Sequence, residues 1–189
     1  MSQKTKDEII TEAKPHTIKK FELIETYVDE WARKILGFQG KDGQNGSKGV
    51  IYIDCMSNSG VYKDIDGNFV DGTALRVAKR LNTIIENYPG KQAILIFNDL
   101  NEDRINNLES EIQKANLNNI QAFYRNEDCN AFLKGLDLAG FKKQYNTLLL
   151  YDPYNASIDW GAVTPFLNIW GEVILNHMVS DTSRGISQA

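Results

Sequence analysis

Four aspartates carry the first chemical suggestion in this sequence. Asp54, Asp99, Asp128 and Asp152 each stand at, or soon after, the end of a short apolar run: Val50-Ile-Tyr-Ile53, Ala93-Ile-Leu-Ile-Phe97, Ile120-Gln-Ala-Phe-Tyr124 and Thr147-Leu-Leu-Leu-Tyr151. Carboxylates placed there can accept hydrogen bonds from ribose hydroxyls, a ligand ammonium or an exocyclic amine. The alternative for any one of them is a helix cap or a loop residue. Asp152-Pro153-Tyr154-Asn155 is the sharpest local signal. An Asp-Pro-aromatic turn offers a carboxylate and a carbonyl to an amino group beside a flat stacking surface, which suits a nucleobase amine. The competing reading is a Pro-Tyr turn that ends a strand. After the first apolar run, Asp54-Cys55-Met56-Ser57-Asn58-Ser59-Gly60 supplies small residues where a backbone can approach a ligand.

Other chemistries lack their residues. That turn is not GxGxxG, and Asp99 lies 45 residues beyond Asp54, well past the roughly 20 of a dinucleotide fingerprint. The glycine-rich stretch from Gly37 to Gly49 does not fit the P-loop spacing and reads as a solvent loop. Asp64-Ile65-Asp66-Gly67-Asn68 briefly resembles a calcium loop, but Phe69 holds the glycine position and Leu75 the closing glutamate position. Two histidines (His16, His177) and two cysteines (Cys55, Cys129) exclude a His/Cys zinc site and a disulfide framework. A nucleotide hydrolase has no P-loop, metal cluster or nucleophile elbow to work with.

The elements that must position these residues follow from periodicity. Ile18, Phe21, Ile24, Tyr27, Val28, Trp31 and Ile35 recur at helical spacing, with Gly37 as a stop. Apolar runs then alternate with helical ones. Thr73 is expected to cap a helix and Asp128 a shorter one; residues 161–170 are expected to be helical, and Glu172-Val-Ile-Leu-Asn176 forms a fifth strand. Five strand–helix alternations with near-continuous apolar strands predict an α/β fold: a doubly wound, mostly parallel, Rossmann-like sheet covered on both faces.

Size and charge agree with one domain. The chain has 189 residues, 42% hydrophobic and 24% charged, with a formal net charge of −4. That balance excludes a surface that is basic throughout, though not a local basic patch. Residues 1–14 read as a mobile tail, 15–181 as the domain and 182–189 as a second tail. No run approaches the roughly 20 apolar residues of a membrane span, and the polar N-terminus is no secretory signal. A cytoplasmic protein without a membrane or metal partner is expected.

The order of motifs resembles the three-Cys-motif partner proteins, a branch of the class I S-adenosylmethionine-dependent methyltransferase-like fold, over about residues 14–181. Lys14-Pro-His16-Thr-Ile-Lys-Lys20 leading to Tyr27 and Trp31 is similar to that family's opening helix. Tyr52-Ile-Asp54-Cys-Met-Ser-Asn-Ser-Gly60-Val-Tyr62 resembles its YIDGFAGPGxY loop, and Gly72-Thr73-Ala74 stands at its Gly-Ser-Pro. Asp152-Pro153-Tyr154-Asn155 matches its DPFG. Leu175-Asn176-His177-Met178-Val179-Ser180-Asp181 resembles its INFMYDS segment.

The resemblance implies strand order 3-2-1-4-5, with the last two strands of the usual fold missing. It also implies S-adenosylmethionine as cofactor: Asp54, Ser57 and Gly60 around the methionine part, Asp99 on the ribose hydroxyls and Asp128 near the adenine. Asp152, Pro153, Tyr154 and Asn155 would face the methyl acceptor, with nucleic acid as the substrate class. Cys55 and Asn58 replace family glycines, and Tyr154 stands one place earlier than the aromatic of a DPPY motif. Asn58 fits if its φ is positive. The alternative is a catalytically inactive Rossmann-like interaction protein, in which Lys14, Lys19, Lys20, Arg33 and Lys34 on the first helix dock a protein or a phosphate backbone.

Overall fold

The structure, a computed structural model, describes residues 9–39, 46–142, 144–153, 158–169 and 171–176. Along the chain, β1 (Thr11–Glu12) and α1 (Pro15–Gly37) precede β2 (Gly49–Asp54). A hairpin of β3 (Val61–Lys63) and β4 (Phe69–Asp71) leads to α2 (Thr73–Ile85) and β5 (Gln92–Asn98). Then come α3 (Glu102–Lys114), β6 (Gln121–Arg125), α4 (Cys129–Gly135), α5 (Leu138–Lys142), β7 (Tyr145–Tyr151), α6 (Trp160–Leu167) and β8 (Gly171–Leu175).

Five of these strands form one sheet in the order β6-β5-β2-β7-β8, and every neighbouring pair is parallel. Central β2 is buried at all of its positions, while edge strand β6 alternates exposed with partly buried residues and edge strand β8 mixes the two without strict alternation. The strand period of two divides the core. Val50, Tyr52, Leu95, Phe97, Leu148 and Leu150 face α1, α2 and α3, where Val28, Trp31, Leu81 and Leu108 meet them. Ile51, Ile53, Ile96, Leu149 and Tyr151 face the opposite side, against Phe132 and Leu133 of α4 and Val163 and Phe166 of α6. The mixed α/β architecture with helices on both faces of a parallel sheet is therefore present, and all strand carboxyl ends lie along one rim.

Two local expectations are corrected. The expected mobile tail over 1–14 does not include its last residues: Ile9, Ile10 and Ala13 are buried, and Thr11–Glu12 pairs in parallel with Tyr62–Lys63. Thr73 does not cap α2; Gly72 occupies that position, its carbonyl accepting from the Arg76 N–H. Asp128 does cap α4, through bonds from the Asn130 and Ala131 N–H groups.

The stretch between Gly60 and Gly72 is a hairpin pinned at its turn. Asp64 Oδ1 accepts from the Asp66 and Asn68 N–H groups, and Gly67 takes the positive φ of +82° that the turn demands. The calcium-like aspartates thus close a turn, and among the described residues no cluster could hold a metal ion. Among the same residues, no helix is long and apolar enough to cross a membrane.

Candidate functional site

Where parallel strands end together, the loops that follow them surround a common space. A cavity of about 620 Å³ opens at that rim, within the roughly 300–1,000 Å³ of small-molecule sites. Cys55 and Met56 line it after β2, Asp99 and Leu100 after β5, Asp128, Cys129 and Asn130 at the start of α4, Tyr151 and Pro153 at the end of β7, and Asp159 before α6. Three carboxylates and an asparagine thus face a space whose other walls are apolar. Such a lining suits a ligand with hydroxyl and amino donors attached to a flat or apolar body.

Each carboxylate is held by its own loop. Asp99 is buried; its Oδ2 accepts from the Asn58 N–H at 2.9 Å and its Oδ1 from the Asn101 N–H at 2.9 Å. Each oxygen has a second lone pair for a ligand hydroxyl. Asp128 Oδ1 accepts two N–H groups of α4, at 3.0 Å each. Asp159 caps α6 through Oδ1 and pairs with Lys134 through Oδ2 at 2.7 Å; that lysine keeps its carboxyl below the usual range.

Asn98 fixes the loops against each other. Its buried amide donates to the Cys55 carbonyl at 3.1 Å and the Glu127 carbonyl at 3.0 Å, and accepts from the Glu127 N–H at 3.0 Å. Ser57 binds the Asn98 carbonyl through both its N–H (2.8 Å) and its hydroxyl (3.1 Å).

A second group of charges lies beside the cavity, against α1. Asp54 is buried, accepting from the Met56 N–H at 3.2 Å and from the Tyr52 hydroxyl at 3.4 Å. Burial pushes its carboxyl up to about 7; Asp152 and Asp99 add to the rise, while the Met56 N–H and Lys20 oppose it. Asp152 forms an ion pair with Lys20 of α1 at 2.6 Å and accepts from the Asn176 amide.

The predicted residues therefore divide. Asp99, Asp128 and Pro153 line the cavity; Asp54 and Asp152 form the neighbouring charged group, and Ser57 and Gly60 build the loop between them. Gly60 holds a φ of +79°, and a Cβ there would come within 2.6 Å of Leu108 Cδ1, so glycine is required by the backbone and by its packing. Tyr154 and Asn155 lie outside the described residues, as do His177 to Asp181.

Neither substitution in the loop after β2 fills the cavity. Asn58 has a φ of +58°, and its side-chain oxygen accepts from the Ser59 N–H at 2.6 Å. The Cys55 thiol donates to the Leu150 carbonyl at 3.3 Å and packs in the core toward α4 and α6, contributing wall. Met56, Leu100, Cys129, Asn130, Tyr151 and Asp159 were not among the predicted site residues. Only Asp159 carried a usable signal, an acid placed to cap the apolar helix 161–170.

A five-stranded parallel sheet flanked by helices, with a loop-lined cavity at its carboxyl rim, makes this a mixed α/β protein of Rossmann-like layout. No family model matches the chain, and none of the curated proteins compared with it is a match.

Proposed function

We propose that this chain is a class I methyltransferase-like protein that binds S-adenosylmethionine and acts on a nucleic acid. The observation that carries the proposal is the cavity in which Asp99 after β5, Asp128 before α4 and Pro153 after β7 meet. The sheet order β6-β5-β2-β7-β8 supports it, since in chain order these strands run 3-2-1-4-5. Asp99 would accept the two ribose hydroxyls and Asp128 the adenine amine, with Leu100 and Pro153 flanking the ring. Buried Asp54 would face the ligand's ammonium end, and the half-buried Asp152–Lys20 pair the side from which the acceptor enters. The cofactor would supply a methyl group on a sulfonium, a reaction that asks for in-line alignment more than acid–base help. The chain's part is to hold both reactants and exclude water. The acceptor class rests on the Asp152-Pro153 turn.

Isothermal calorimetry with S-adenosylmethionine and S-adenosylhomocysteine tests this reading. Saturable heat at micromolar ligand is expected, and Asp128→Asn should weaken it about tenfold, the loss of roughly one charge-assisted hydrogen bond. Asp99→Asn should weaken it more, because that side chain also orders the Asn58 and Asn101 backbone. Silence at millimolar ligand from a folded protein would remove the proposal.

A second reading, a catalytically inactive interaction protein, is favoured by one observation. The Asp152 carboxylate that would meet an acceptor amine is already paired with Lys20 and Asn176. Under that reading neither ligand produces heat.

A further inference from the structure

The chain has two cysteines, and the fold brings both to one wall of the cavity. Cys55 follows β2 and Cys129 opens α4, 74 residues later in the chain. Both line the same cavity, both are free thiols, and Cys129 packs against the apolar cluster that contains Cys55. They differ in access: Cys55 is 1% exposed, whereas Cys129 is half-buried. We propose that Cys55 and Cys129 form a peroxide-reactive thiol pair, in which the cavity admits a hydroperoxide to Cys129 and Cys55 closes the resulting centre as a disulfide. This does not rest on the methyltransferase reading, because it needs only the cavity and the two sulfurs.

The chemistry balances without a further reactant. The Cys129 thiolate attacks one peroxide oxygen; the O–O bond breaks, the departing oxygen takes a proton and leaves as water or an alcohol, and Cys129 becomes a sulfenic acid. The Cys55 sulfur then attacks the Cys129 sulfur; the S–S bond forms, the S–O bond breaks, and water departs with the Cys55 proton. In sum, two thiols lose two electrons to one hydroperoxide. The division of roles follows from environment. Burial, then the hydrogen-bonded Cys129 thiol beside it, pushes the Cys55 thiol up, so Cys55 is a poor first nucleophile. It is instead stationed where a sulfenic acid on Cys129 would form. The disulfide would join the loop after β2 to the start of α4 across the cavity wall, and so would stiffen the mouth.

The test uses the intact protein and hydrogen peroxide. After a brief exposure and denaturing alkylation, mass spectrometry should find the monomer lighter by two hydrogens and unalkylated, with one cross-linked peptide joining Cys55 to Cys129. Thiol reductant should restore two alkylated cysteines. Cys55→Ser should leave a Cys129 sulfenic acid that dimedone captures, while Cys129→Ser should leave Cys55 reduced under the same exposure. Two alkylatable thiols after peroxide, a disulfide only between chains, or oxidation of Cys129 beyond sulfenic acid with Cys55 still free would each overturn the proposal. The wild-type measurement decides the matter even if either variant fails to fold.

Discussion

At Asp54 the fold keeps a carboxyl where water cannot reach it, and the cost depends on pH. Its ordinary value of 3.8 is raised to about 7. Below pH 4 the folded and unfolded chains both hold the proton, so the site adds no penalty. Between about 4 and 7 the unfolded chain releases its proton while the folded one keeps it, and stability falls as pH rises; above about 7 the loss is complete. Its size is of order 4 kcal/mol. Asp54→Asn carries no charge at any pH and retains an acceptor for the Met56 N–H. Urea midpoints should show the variant about equal to wild type at low pH and more stable at about pH 8. Parallel profiles for the two proteins would mean that Asp54 ionises freely in the folded state. A strand-end acid was legible in the sequence; its immersion among charges was not, because the neighbours that act on it, Lys20, Asp99 and Asp152, lie at least 34 residues away in the chain.

At the scale of elements, three loops depend on one amide. Asn98 binds the loops after β2 and β6 while ending β5 itself. Asn98→Ala would leave the buried Cys55 carbonyl and the part-buried carbonyl and N–H of Glu127 without this partner, an expected loss of about 2–4 kcal/mol by chemical denaturation. It should also lower ligand affinity, since Asp99 and Asp128 are the next residues along two of those loops. A loss under about 1 kcal/mol would show that water replaces the amide at little cost.

The main sheet was readable because strands covered on both faces are apolar at nearly every position, as in Leu148-Leu149-Leu150. The sheet of β1, β3 and β4 was not readable. Its strands are two or three residues long, too short to show alternation, and β1 finds its partner some fifty residues away. The same distance effect hid half of the cavity. Asp99 and Asp128 announce themselves at strand ends, but Cys129 and Asp159 become site residues only when α4 and α6 pack across the rim.

The two helical layers are unequal, and that inequality falls on the cavity. On one face α1, of 23 residues, and α2 and α3, of 13 each, bury more than twice as many side chains as the opposite layer. There α4 has seven residues, α5 has five and none buried, and α6 has eight with Pro165 inside it. Opening free energies track buried apolar contact, so the thinner layer should open first. Native-state hydrogen exchange is expected to place the α4 and α6 amides at least about 2 kcal/mol below those of α2 and β5. Because Asp128, Cys129, Asn130 and Asp159 form the cavity wall on that thin side, a ligand bound there must hold α4 and α6 closed. Saturating S-adenosylhomocysteine should therefore slow exchange in α4 and α6 by its full binding free energy and leave α2 nearly unchanged. Equal opening energies in both layers would make the domain a single cooperative unit. Protection confined to α1 would instead put the ligand at the Lys20–Asp152 side, outside the cavity.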